Sequence, residues 1–157
     1  MIADGEPVLV HNNARFACGS DGVTTDRTQS AVVTNKKVGD AYADDIAAYE
    51  MDNAVREVSF TVPEPRRGTT TTRRQDIVDS PNPHLGIRRG SEVKVGFVEN
   101  RSRIRKEIRG DRLLLRAGRL HEMRWILLRS PINGKIGMDG RVAQRLLEAG
   151  VTIEIRY

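Results

Sequence analysis

The chain has one cysteine, Cys18, among 157 residues. No intrachain disulfide can form, and no cysteine cluster can hold a metal. Its three histidines, His11, His84 and His121, are far apart and make no zinc-ligand pattern. A bound cation would therefore be held by oxygen donors, which points to Mg2+ or Mn2+ rather than zinc. No apolar run approaches the roughly 18 residues that a membrane-spanning helix needs, so no membrane segment is expected. The first residues lack the basic and apolar regions of a signal peptide. No internal repeat is evident.

What is present is charge. Charged residues make up 30% and hydrophobic residues 38%, enough for one modest core beneath a heavily charged surface. Net charge is +5 and arginine dominates the positive side. Arginine suits bidentate contact with phosphate. A basic balance fits nucleic acid, and it also fits an acidic protein partner. The charge is uneven. Residues 101–130 hold ten Lys/Arg against Glu107, Asp111 and Glu122, while residues 39–57 are acidic. An acidic helix beside a basic remainder is what a cation site on a phosphate-binding surface needs.

Along the chain, residues 14–38 are rich in Gly, Ser, Thr, Asn and Asp and read as a linker. Residues 39–54 read as a helix with Asp40 as N-cap. Tyr42, Ile46 and Tyr49 give it an apolar stripe, and Asp45 falls on that stripe. Strands are expected at 55–62 and 69–79, paired as a hairpin across a turn at 63–68. A loop follows at 80–86. Then comes a glycine-bounded strand, Gly90 to Gly96. Residues i and i+2 of a strand share a face, so Glu92 and Lys94 project together while Val93 and Val95 turn away. A buried strand rarely carries opposite charges on one face without a use for them. The alternative is an edge strand with a solvated pair. Residues 101–118 read as a basic helix with Ile104, Ile108 and Leu115 inward. Glu107 and Asp111 lie on the same stripe, and Arg103, Arg105, Lys106, Arg109 and Arg112 cover the rest. A strand at 121–128, a helix at 139–149 with Val142, Leu146 and Leu147 buried, and a strand at 151–157 close the chain. The order α-β-β-β-α-β-α-β implies an α/β layer with a mixed sheet flanked by helices.

Two stretches resemble known families. Pro7-Val8-Leu9-Val10 followed by His11-Asn12 resembles the C-terminal end of the HINT autoprocessing domains that precede toxins in bacterial polymorphic-toxin proteins. The resemblance implies that residues 1–12 are the remnant of such a domain, with Asn12 the cyclising residue and His11 its helper, and that residues 13–38 are a linker. The motifs Gly39-Asp40-Ala41-Tyr42-Ala43-Asp44-Asp45-Ile46-Ala47, Arg73-Arg74-Gln75-Asp76-Ile77-Val78 and Glu92-Val93-Lys94-Val95-Gly96 follow. With the helix from Arg103 to Asp111, they resemble the PD-(D/E)XK nucleases, in particular the restriction-endonuclease-fold toxin domains of polymorphic toxins. That likeness spans 39–157.

The resemblance implies a restriction-endonuclease-like core and a metal-dependent nuclease. Asp76, Glu92 and Asp45 would hold the metal, and Lys94 would orient or activate the attacking water and stabilise charge in the transition state. Arg73, Arg74, Arg103, Arg105 and Lys106 would meet nucleic acid, either DNA or tRNA. Asp79 is the alternative to Asp76. Many members carry glutamate on the first helix where Asp45 stands here. Many carry glutamine on the basic helix where Glu107 stands, which leaves the role of Glu107 open. The toxin would be secreted or delivered from a bacterium and act in the cytoplasm of a target cell, with a cognate immunity protein as partner. The residues alone also allow a non-catalytic nucleic-acid-binding module, or an interaction domain for an acidic partner.

Overall fold

The computed structural model describes residues 31–64 and 68–157. The HINT-like stretch with His11 and Asn12, Cys18 and the first part of the expected linker lie outside the described residues.

Helix α1 (Ala31–Tyr49) begins at Ala31 rather than at Gly39, so the end of the expected linker is helical. Residues 31–38 contain no glycine or proline, and Lys36 pairs with Asp40 one turn later. Asp40 is therefore interior to the helix and not its N-cap. The inward face also differs from the expected stripe. Ala43 and Ile46 are buried, with Tyr42 and Ala47 partly so, but Tyr49 is 85% exposed. Small residues let α1 lie close on the sheet: a Cβ added at Gly39 would stand 3.3 Å from Val95 Cγ2. The rotation that seats Ala43 leaves Asp45 on the exposed side.

Strands β1 (Val55–Glu64) and β2 (Thr69–Asn82) form the expected antiparallel hairpin. Strand β2 runs into the stretch expected as a loop. It ends at a single 3-10 turn, Pro83–Leu85, where Asn82 Oδ1 accepts from the Leu85 N–H. Strand β3 (Ile87–Val95) contains the Glu92/Lys94 pair. After a two-residue strand β4 (Phe97–Val98), helix α2 (Ser102–Arg116) crosses to β5 (Glu122–Leu128). A short β6 (Gly137–Met138) pairs with β4. Helix α3 (Gly140–Glu148) is capped by Asp139, which accepts from the Arg141 N–H, and it leads to β7 (Thr152–Arg156). Val142 and Leu146 of α3 are buried, whereas Leu147 is exposed, against expectation.

The main sheet has the order β1-β2-β3-β5-β7, antiparallel across β1, β2 and β3 and parallel across β3, β5 and β7. It is a mixed sheet flanked by three helices. Parallel pairing needs crossover connections, which α2 and α3 supply. On one face α2 and α3 close a core around Leu114, Trp125, Leu127 and Leu146. On the other, α1 covers Ile77, Val93 and Ile126. Fully burying such a side chain contributes about 1.5–3 kcal/mol. Strand β3 is central, so the solvated edge-strand alternative for Glu92 and Lys94 does not hold.

Candidate active site

Strands β2 and β3 pair only as far as Ile77 and Ser91 and then part. Just beyond the last pair, the Asp76 carboxylate takes the place of a strand acceptor: its Oδ2 accepts from the Val93 N–H at 2.8 Å. A cavity of about 520 Å³ lies at this split. Its lining includes Asp76 of β2, Glu92 and Lys94 of β3, and Glu107 of α2.

The alternation along β3 turns Val93 into the α1 core and Glu92 and Lys94 toward α2. Glu92 is 4% exposed. Its Oε1 accepts from Lys94 Nζ at 2.5 Å and its Oε2 from an Arg73 Nη at 2.9 Å. Lys94 also donates to Glu107 at 2.8 Å and stands 5.1 Å above the Trp125 ring. Arg103 donates to the other oxygen of Glu107 at 2.9 Å.

Behind this layer sits Asp111, fully buried. Arg103, Glu107 and Asp111 follow one another at four-residue spacing on α2, so they line one face of the helix. Asp111 accepts from Arg73 Nε at 2.7 Å, Gln75 Nε2 at 2.8 Å and Trp125 Nε1 at 2.9 Å. A buried carboxylate needs this many donors to offset its lost hydration. Arg73 is thus a strut, with one end on Asp111 and the other on Glu92. Gly110 makes room for it: a Cβ there would stand 3.0 Å from Arg73 Cδ.

Burial pushes the Glu92 carboxyl above the ordinary carboxylate range, and the cations Lys94 and Arg73 only partly oppose this. Burial pulls on the Lys94 ammonium, but Glu92 and Glu107 outweigh it and hold Lys94 above its usual value. Glu107 is held below the usual range: burial favours its neutral form, but the Lys94 charge and hydrogen bond prevail. Arg73 is raised by Glu92 and Asp111 against the cost of burial. The two carboxylate neighbours of Lys94 therefore favour its charged form.

The sequence-based candidates sort cleanly by place. Asp76, Glu92, Lys94 and Glu107 share the cavity with Arg73, Arg74 and Arg103. Asp45 is exposed and outside it; the α1 acid that lines it is Asp40. Asp79 lies elsewhere, buried and paired with Arg89. Arg105 donates to the Asn100 carbonyl and lines neither this cavity nor the groove beside it. Lys106 lies in that adjoining groove. The sequence reading missed Gln75 and Trp125, and it gave Asp111 no partner. The one available signal was an acid on the inward stripe of α2.

Two cavity carboxylates, Asp76 and Glu92, offer hard oxygen donors. Asp76 is among the charges that raise Glu92, a repulsion a cation between them would relieve. Among the described residues no cluster of three or more His, Cys, Asp or Glu side chains is placed to hold a metal. The pair would suit Mg2+ or Mn2+, which bind through one or two carboxylates and complete their shell with water and phosphate oxygen. It does not include Asp45.

No family model, no curated protein and no solved structure matches this chain.

Proposed function

We propose that this chain is a divalent-metal-dependent nuclease with a restriction-endonuclease-like core, hydrolysing phosphodiesters, with DNA as the leading substrate. The observation that carries the reading is the convergence of Asp76, Glu92 and Lys94 on one cavity where β2 and β3 part. Asp76 and Glu92 would hold Mg2+ or Mn2+, which when bound supplies a Lewis acid to the scissile phosphate.

The chain's own residues divide the remaining work. Lys94, held as an ammonium, offers its charge to the developing negative oxygen and orients water by donating hydrogen bonds. With Glu92 and Glu107 raising its pKa, that orienting role suits it better than proton abstraction. Arg73 keeps the Glu92 carboxylate in position from behind. Glu107 takes on the role of fixing Lys94 together with Glu92.

The biological setting rests on the two sequence resemblances: the C-terminal toxin domain of a bacterial polymorphic toxin, delivered into the cytoplasm of a competing cell. An acidic immunity protein would complement the basic groove beside the cavity.

The test incubates purified protein with plasmid DNA and with total tRNA, in Mg2+ and in EDTA, beside Asp76→Asn, Glu92→Gln and Lys94→Ala variants checked by circular dichroism. Cleavage that needs metal and disappears in all three variants is the expected result, and the two substrates separate DNase from tRNase. Cleavage indifferent to EDTA and to the variants would sink the proposed site. Binding without cleavage in every metal would make the chain a nucleic-acid-binding module.

A further inference from the structure

The cavity is electrically balanced. Its walls carry five cations (Lys36, Arg73, Arg74, Lys94, Arg103) and five carboxylates (Asp40, Glu57, Asp76, Glu92, Glu107). Lys94 and Arg73, the two deepest cations, are already engaged by Glu92, Glu107 and Asp111. Before a divalent ion binds, such a cavity has little net attraction for a phosphate.

The positive charge lies next door. A groove of about 210 Å³ adjoins the cavity and shares Arg73, Arg74, Arg103 and Glu107 with it. Lys106, Thr71 and Thr72 are added there, so four cations face one carboxylate; of the four, Arg73 is engaged by Glu92 and Asp111 and Arg103 by Glu107. The other two, Arg74 and Lys106, are weakly committed. Arg74 is 3.8 Å from Glu57, with both side chains exposed, and Lys106 makes no ion pair with any described residue. The threonines bring hydroxyl donors to a site that already has a fork of guanidinium groups, a combination suited to a phosphate oxyanion.

We infer that this groove is a separate subsite for the phosphate next to the scissile one. Recognition and chemistry are then divided between adjacent pockets. The neighbouring phosphate supplies the binding energy, and the balanced cavity receives the bond to be cut. The substrate is accordingly a chain with at least two consecutive phosphodiesters, and a lone phosphodiester is held poorly. The inference rests on the nuclease reading, but its test reads binding separately from cleavage.

The experiment measures binding of fluorescein-labelled oligothymidylates in EDTA, where metal-dependent cleavage is suppressed, by anisotropy over a range of salt. The probes are a dinucleotide, with one phosphodiester, and an octanucleotide. The octanucleotide should bind at least tenfold more tightly than the dinucleotide. Lys106→Ala, an exposed position in the groove only, should weaken octanucleotide binding roughly fivefold. It should also lower the salt slope by about 0.7, the value of one phosphate contact on a single strand. Lys36→Ala, on the cavity wall and already neutralised by Asp40, should change both far less. Equal effects of the two substitutions, no effect of Lys106→Ala, or equal affinity for the two probes would each overturn the subsite. Cleavage that fails while Lys106 dependence persists would remove the nuclease reading and leave the subsite standing. Cleavage that persists without Lys106 dependence would do the reverse.

Discussion

Glu57 and Asp76 face each other at the one gap in the β1–β2 register, between the pairs Arg56–Ile77 and Val58–Gln75. Glu57 has φ 54°, a left-handed conformation inside a strand. On either side of the gap the strands present opposite phases. Gln75 reaches Asp111 beneath α2, while Ile77, two residues on, packs under α1. The flip leaves Asp76 free of the ladder, with its carboxylate on the Val93 N–H. A non-glycine residue in this region costs roughly 1–2 kcal/mol. The backbone at 57 therefore aims the Asp76 carboxylate.

The first prediction separates that backbone role from the Glu57 side chain. Glu57→Gly removes a half-exposed carboxylate but adopts the left-handed conformation freely. It should keep or slightly raise the urea midpoint and keep the cleavage activity proposed above. Glu57→Val, β-branched, should lower stability by about 1–2 kcal/mol and reduce cleavage with it. Equal behaviour of the two variants would remove the backbone role.

The second concerns Asp111. Asp111→Ala leaves the Arg73 guanidinium buried beside Glu92 with its other anchor gone, and it orphans Gln75 and Trp125 donors. The expected loss is about 3–5 kcal/mol. Asp111→Asn keeps one acceptor oxygen and should lose clearly less. Chemical denaturation of the two variants checks the order, and a loss under about 1 kcal/mol for alanine would contradict the strut.

The third tests how tightly Arg73 is held. An alanine in place of a helix-interior glycine ordinarily gains about 1 kcal/mol. At Gly110 the new methyl meets Arg73 Cδ at 3.0 Å, and Arg73 cannot retreat because both of its ends are bonded. Gly110→Ala should therefore show no gain in stability and a severalfold drop in the rate of the proposed cleavage. A gain of the full helix-propensity amount would mean that Arg73 moves freely.

The fourth is a pH dependence. Glu107 is held below its ordinary 4.5, so its contribution to stability is complete above that value. It is lost as pH falls through the lowered value. Glu92 runs the other way, since its raised pKa makes deprotonation costly as pH rises. The acid limb below 4.5 thus belongs to Glu107 rather than Glu92. Glu107→Gln should flatten the fall in urea midpoint as the pH drops below 4.5. An acid limb unchanged by the substitution would refute the assignment.

Much of this architecture follows from local pattern. Alternation in β3 puts Glu92 and Lys94 on one face whatever surrounds them, because the side-chain period of a strand is two. The hairpin, both crossover helices and the inward position of Asp111 follow from turn residues and helical spacing in the same way. The pattern was silent, or misleading, where two elements had to be brought together. The rotation of α1 depended on how closely Gly39 and Ala43 could approach β3, so Asp45 went outward and Asp40 took the cavity wall. That Asp76 and not Asp79 lines the cavity depended on where β2 and β3 part, a property of the pair of strands and of neither alone. The ring of donors around Asp111 joins β2, β5 and α2 over separations of up to 38 residues. Composition and periodicity set which face a residue lies on. Only the packing of those faces decided which charges met, and so where the balanced cavity ends and the positive groove begins.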